Sequence, residues 1–202
     1  MESRNLDALA QAVLGRLFVP IEVSGRHVHL TEAQAQVLFG HKLTAERPLS
    51  QPGQFLARER VTVVGPRGTF ENVAVLGPER GEAQVEISLT DGRKLGIRPP
   101  VRLSGKVEAT PGITLAGPMG KVELRAGVMA ARRHIHLSPQ EGERFRVADK
   151  QVVRLQTFTD RPVIFEDVVV RIHPDFRAAV HLDTDEANAC GLQKGCFGRI
   201  LP

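Results

Sequence analysis

Four of the chain's seven histidines fall in two stretches that nearly repeat each other, Arg26-His27-Val28-His29-Leu30-Thr31 and Arg133-His134-Ile135-His136-Leu137-Ser138. One His-x-His is weak. Two, each preceded by Arg and followed by Leu and a hydroxyl residue, are hard to ascribe to the chance scatter of seven histidines over 202 residues. In an extended strand, side chains two apart share a face and lie about 6.6 Å apart along the chain. Each pair of imidazoles can therefore converge on one metal ion, with nitrogen about 2.0–2.1 Å from a zinc.

The elements that must hold these pairs are legible. Thr31 is followed three residues later by Gln34, and Ser138 by Glu141, which is the capping-box spacing; Pro139 falls at a first helical position, where its missing N–H costs nothing. Each His-x-His is thus expected to end a strand that leads into a capped helix. Short β-branched runs fill much of the remainder: Val61–Val64, Val73–Leu76, Gln84–Ser88, Val152–Leu155 and Val168–Ile172. Turns such as Gly65-Pro66-Arg67-Gly68 and Thr159-Asp160-Arg161-Pro162 separate them.

The repeat extends beyond the histidines. Phe70-Glu71-Asn72-Val73-Ala74-Val75 matches Phe165-Glu166-Asp167-Val168-Val169-Val170, and Val85-Glu86-Ile87 matches Val180-His181-Leu182. Continuing that match to Thr90-Asp91 and Thr184-Asp185 requires one residue to be lost near Ser88-Leu89. The expected fold is mainly β with short capping helices, two related small β-barrel domains produced by an internal duplication. Residues 19–105 form the first domain and 106–202 the second. Residues 1–18 carry Leu6, Leu9, Val13 and Leu17 at helical spacing and are read as an amphipathic helix, either a cap on the fold or a targeting peptide.

The internal match adds one donor to each histidine pair. Glu86 and His181 occupy equivalent positions, and in Val-Glu-Ile and Val-His-Leu the polar side chain lies on the opposite face from its apolar neighbours. The candidate metal ligands are therefore His27, His29, Glu86, His134, His136 and His181. Six donors suit two ions with three protein ligands each, the open arrangement of catalytic zinc rather than the closed four-ligand structural one. Imidazole-rich ligation favours zinc and leaves Co, Ni or Fe open. Arg80, six residues before Glu86, is a candidate bidentate phosphate clamp. Arg26 and Arg133 have the opposite strand parity from the histidines and are expected to face away. His41 and His173 belong to no such pattern.

Composition narrows the alternatives. The chain has no Trp and no Tyr, and its net charge of +4 comes from dispersed Lys and Arg, so a nucleic-acid surface is a poor reading while a small anionic ligand is a good one. Cys190 and Cys196 do not have zinc-motif spacing and read as reduced thiols of a cytoplasmic protein. No apolar run approaches membrane-spanning length, and the N-terminus lacks the basic-then-apolar order of a secretory signal.

From Val19 onward the chain resembles the PduL-type phosphotransacylases, also called phosphate propanoyltransferases. The resemblance rests on Val23-Ser24-Gly25-Arg26-His27-Val28-His29-Leu30, Gln51-Pro52-Gly53-Gln54-Phe55, Val75-Leu76-Gly77-Pro78, Gln84-Val85-Glu86-Ile87-Ser88, Pro111-Gly112-Ile113-Thr114-Leu115, Ala131-Arg132-Arg133-His134-Ile135-His136 and the run from His181 to Ala189. It implies two β-barrel domains with helical caps, a dimetal zinc site between them with two ions per chain, and reversible transfer of an acyl group from coenzyme A to phosphate. By motif position the six donors above are the metal ligands and Arg80 binds phosphate. Ser24 and Asn188 lie near coenzyme A, Ser24 only if Gly25 bends the strand. Ala74 stands where the family often has Arg, one contact to the coenzyme phosphates. Some relatives carry an N-terminal helix that targets a bacterial microcompartment, which makes the microcompartment lumen an alternative to the cytoplasm. Shell or core proteins of such a compartment, bound through residues 1–18, and a homodimeric assembly complete the expected partners; nucleic acid and membrane are not among them. Two other readings use the same residues: a dimetal hydrolase of thioesters or phosphate esters, and a noncatalytic metal-binding scaffold with closed sites.

Overall fold

The computed structural model describes Val13, Gly15, Leu17 and residues 18–201. Val13, Gly15 and Leu17 are helical, with Val13 and Leu17 exposed; the other positions of the helix expected over residues 1–18, apart from Phe18, which follows it outside any helix, lie outside the described residues. Strands β1 (Val19–Val23), β2 (His27–His29), β3 (Ala45–Pro48), β4 (Phe55–Val64), β5 (Thr69–Gly77), β6 (Gln84–Glu86), β7 (Val101–Arg102), β8 (Ile113–Ala116), β9 (Lys121–Leu124) and β10 (Val128–Ala131) come first in the chain. Among them lie helices α1 (Glu32–Phe39) and α2 (Leu89–Leu95). Then follow β11 (His134–Leu137), α3 (Pro139–Phe145), β12 (Val152–Phe158), β13 (Ile164–Ile172), β14 (Ala179–Leu182), α4 (Thr184–Ala189) and β15 (Phe197–Leu201). The protein is mainly β with short helices, as its β-branched runs and closely spaced turns require.

Two compact units form. One takes the described residues up to 23, residues 133–182 and those from 186 on; the other takes 24–132 with 183–185. The first is a closed six-stranded barrel of order β1-β14-β11-β13-β12-β15, with β15 pairing back to β1. Its core holds Val19, Ile21, Ile135, Leu137, Leu155, Val168, Val170, Val180 and Leu182. The second unit is a nine-stranded sheet of order β7-β10-β6-β2-β5-β4-β8-β9, with β3 added beside β4. Its core holds Val28, Leu30, Leu38, Val61, Val73, Val75, Val85, Ile87 and Leu115. Fully burying each such side chain contributes roughly 1.5–3 kcal/mol, so each core is a sizeable source of stability.

The strands sort differently from a cut at residue 105. β1 completes the barrel built from residues beyond 132, while β8 to β10 join the sheet of the preceding residues. The duplicated blocks run from β2 to α2 and from β11 to α4. β1 and β7 to β10 lie outside both blocks, so the repeat alone assigns them to neither.

Within the blocks the duplication is visible in register. β2 runs parallel to β5 and antiparallel to β6, with His27 opposite Ala74 and Glu86. β11 runs parallel to β13 and antiparallel to β14, with His134 opposite Val169 and His181. Asn72 and Asp167, at matching positions, both adopt positive φ, 56° and 61°. Both capping boxes form: the Gln34 N–H donates to Thr31 Oγ1 and the Thr31 N–H to Gln34 Oε1, with the same exchange between Ser138 and Glu141. The helix after β6 departs from expectation, because the strand stops at Glu86 and Ser88 already caps α2. No residue is lost there. Asp91 and Glu186 are each the third residue of their helix, and each binds the arginine ahead of the histidine pair in its own unit.

Candidate metal centres

Each histidine pair stands on a short strand whose neighbours supply the third donor. His27 and His29 share one face of β2, and the antiparallel register sets Glu86 opposite His27 and Gln84 opposite His29. All four residues are buried. In the barrel, His134 and His136 share a face of β11, with His181 opposite His134 and Ala179 opposite His136. The alternate residues Val28, Ile135, Val85 and Val180 point into the two cores.

The donors gather as the repeat suggests. Among the described residues, one ligand atom from each of His27, His29 and Glu86 lies within 4.8 Å of the others, and the same holds for His134, His136 and His181. His27 Nε2 and Glu86 Oε2 lie 3.6 Å apart. Two ligands on one tetrahedral zinc stand about 3.3 Å apart, so that pair is already near bridging distance. His41 and His173 are exposed beside Glu59 and Asp175, apart from both triads.

The surroundings bear on the tautomer and charge of several of these rings. His27 Nδ1 lies 2.7 Å from the Gly25 carbonyl and His29 Nδ1 lies 3.2 Å from the Leu76 carbonyl. A carbonyl only accepts, so Nδ1 carries the proton in each ring and Nε2 keeps a lone pair for a cation. His136 is buried with no hydrogen-bond partner on either ring nitrogen, and its ring stacks on Phe176 at 4.0 Å. A buried polar atom left without a partner is costly, and a bound cation would partner the ring nitrogen that carries the lone pair. Burial, then His27 and the Arg80 cation, hold His29 down at a pKa of about 3. Burial, then His134, His181 and Arg171, push His136 well below the ordinary imidazole value. Both rings are therefore neutral at physiological pH, the form that binds metal. The donor sets, three imidazoles in one unit and two with a carboxylate in the other, fit zinc.

Arg80 follows β5, half-buried, with its N–H donated to the Leu30 carbonyl. Its Nη1 reaches Ser104 Oγ at 3.5 Å, and that hydroxyl also accepts from Gln84 Nε2, which donates to Glu86 of the first triad. Arg26 and Arg133 face away from the histidines: Arg26 forks onto Asp91 and lies over the Phe70 ring, and Arg133 bonds Glu186 and faces Phe165. Ser24 is half-buried in the break between β1 and β2, where the chain leaves strand geometry, and Asn188 is exposed on α4. Sequence reasoning missed Gln84 and Ser104 beside the first triad, and Glu22 and Phe176 beside the second. Glu22 sits opposite His181 on β1, with its Oε2 3.7 Å from His181 Nε2. Gln84 was open to discovery, since it shares strand parity with Glu86; Glu22 and Ser104 are brought in by long-range strand pairing and Phe176 by the loop between β13 and β14, none of which a local pattern encodes.

The family model described as phosphate propanoyltransferase matches residues 20–193. A phosphate propanoyltransferase of Enterococcus faecalis is 53% identical over 183 residues, covering 90% of this chain and 87% of its own. One from Clostridioides difficile is 46% identical over 202 residues, covering 97% of both chains, and one from Listeria monocytogenes is 50% identical over 185 residues, covering 91% and 87%.

Proposed function

Because the chain belongs to the phosphate propanoyltransferase family, a family of acyltransferases, we propose that it moves a short-chain acyl group, propanoyl or acetyl, between coenzyme A and inorganic phosphate with two bound zinc ions. One ion is assigned to His27, His29 and Glu86, the other to His134, His136 and His181. The observation that carries this reading is the pair of three-donor clusters, one of them joined to Arg80 through Ser104 and Gln84. In the forward direction a phosphate oxygen attacks the thioester carbonyl, the C–S bond breaks, and coenzyme A leaves as its thiolate while acyl phosphate forms.

Zinc bound at such triads supplies Lewis acidity, which polarises a carbonyl or orients a phosphate oxygen, and an affinity for thiolate sulfur. The chain's own groups do the positioning. The planar Arg80 guanidinium matches two phosphate oxygens and holds the nucleophile in place. The suppressed proton affinity of His29 and His136 keeps their lone pairs available for ligation and makes both poor general bases at neutral pH. Ser24 and Asn188 are assigned to coenzyme A.

The test measures acyl phosphate formed from propanoyl-CoA or acetyl-CoA and phosphate, alongside metal content. We expect two zinc equivalents per chain, loss of activity on chelation with return on adding zinc, and an Arg80→Ala enzyme whose defect falls mainly on phosphate KM. Full activity in metal-free protein would reject the zinc role. Release of free acid instead of acyl phosphate would favour the hydrolase reading.

A further inference from the structure

Gln84 is 2% exposed and is held on three sides. The Gly105 N–H, which can only donate, lies 2.9 Å from Gln84 Oε1. That contact fixes the amide orientation and turns Nε2 the other way. Nε2 then donates to Glu86 Oε1 at 2.6 Å and to Ser104 Oγ at 2.9 Å, using both of its hydrogens. Ser104 Oγ in turn accepts from Arg80 Nη1. A single amide therefore joins a carboxylate of the first triad to the arginine assigned to phosphate.

This arrangement distinguishes the two Glu86 oxygens. Oε1 is engaged by a short charge-assisted hydrogen bond, and Oε2 is the oxygen near His27 Nε2. The barrel provides an internal control. The residue equivalent to Gln84 is Ala179, and the third donor there is His181 in place of Glu86. Where the repeat has a carboxylate it carries an amide to orient it; where it has an imidazole the amide is absent.

We propose that Gln84 is a positioning residue that sets Glu86 for metal ligation and, through Ser104, sets Arg80 for phosphate. The proposal rests on the reading of the first triad as a zinc site. The partners of a metal ligand commonly contribute roughly 10–100-fold in affinity. The experiment measures zinc affinity at each site by chelator competition, together with phosphate KM and kcat, in the wild type and four variants. Gln84→Ala should weaken the first site by roughly that factor, leave the second site unchanged, and raise phosphate KM. Gln84→Glu keeps the shape but faces one carboxylate with another, and should weaken the first site at least as much. Ser104→Ala cuts the arginine branch and removes one of the three contacts of Gln84 while sparing its bond to Glu86, so phosphate KM should rise with a smaller loss of zinc affinity than in Gln84→Ala. His27→Ala should remove one zinc equivalent. If it does not, the zinc reading itself fails. If it does, yet Gln84→Ala and Gln84→Glu both leave first-site affinity and phosphate KM at wild-type values, the role of Gln84 is overturned while the zinc reading stands. A Gln84→Ala chain that does not fold leaves Gln84→Glu and Ser104→Ala to decide between the same outcomes.

Discussion

Two of the clustered histidines, His29 and His136, are held neutral by what surrounds them, and that has a measurable consequence without metal. His29 is held near a pKa of about 3 by burial, His27 and Arg80, and His136 is pushed down in the same direction. In the unfolded chain both rings take up a proton near the ordinary value of 6.5. Between these limits the unfolded state binds more protons than the folded state, so stability rises with pH across that window and falls on acidification. Metal-free protein should therefore have a lower urea midpoint at about pH 5 than at about pH 7.5, and the loss should continue toward pH 3 as His29 resists protonation. Replacing both His29 and His136 with Gln should flatten that dependence. A midpoint in the metal-free wild type that stays level or rises on acidification would contradict the assignment of neutral, buried rings.

At the scale of elements, the parts nearest the chemistry were the most legible in the sequence. His-x-His on a strand followed by a capping box is a local pattern, and both copies form as spaced. The cap has its own energetic weight: Ser138→Ala removes the acceptor for the Glu141 N–H and should cost about 1 kcal/mol, read as a lower urea midpoint with an unchanged slope. The region after Glu86 departs from the expected alignment for an instructive reason. Aligning Thr90-Asp91 with Thr184-Asp185 follows residue identity, whereas the fold matches residues by role. The third helical residue must carry a carboxylate for the arginine before the histidines, and Asp91 and Glu186 both do so at different lengths. Gln84 shows the other limit. Its parity was readable, but its partner Ser104 lies twenty residues on, brought there by pairing that no spacing rule contains.

At the scale of the whole molecule, the decisive feature is that a strand from the start of the described chain closes a barrel built from its far end. β1 lies between β14 and β15, with Ile21 opposite Val180, Glu22 opposite His181 and Val19 opposite Gly198. Val19 and Ile21 are both buried in that core. Removing them forfeits roughly 3–6 kcal/mol of apolar burial, comparable with the roughly 5–15 kcal/mol that keeps a typical protein folded. It also leaves β14 and β15 as unpaired edges, and β14 carries His181. A chain shortened to begin at Phe18 should therefore keep both triads and bind two zinc equivalents. One shortened to begin at Ser24 should bind a single equivalent, through His27, His29 and Glu86, while amide protons of β11 to β14 exchange rapidly. The repeat suggested two domains cut one after the other; the hydrogen bonds of β1 instead tie the three-histidine site to residues more than a hundred positions earlier. A Ser24-initiated chain that retains two equivalents and slow exchange in β11 to β14 would show that the barrel holds its histidines in place without that strand.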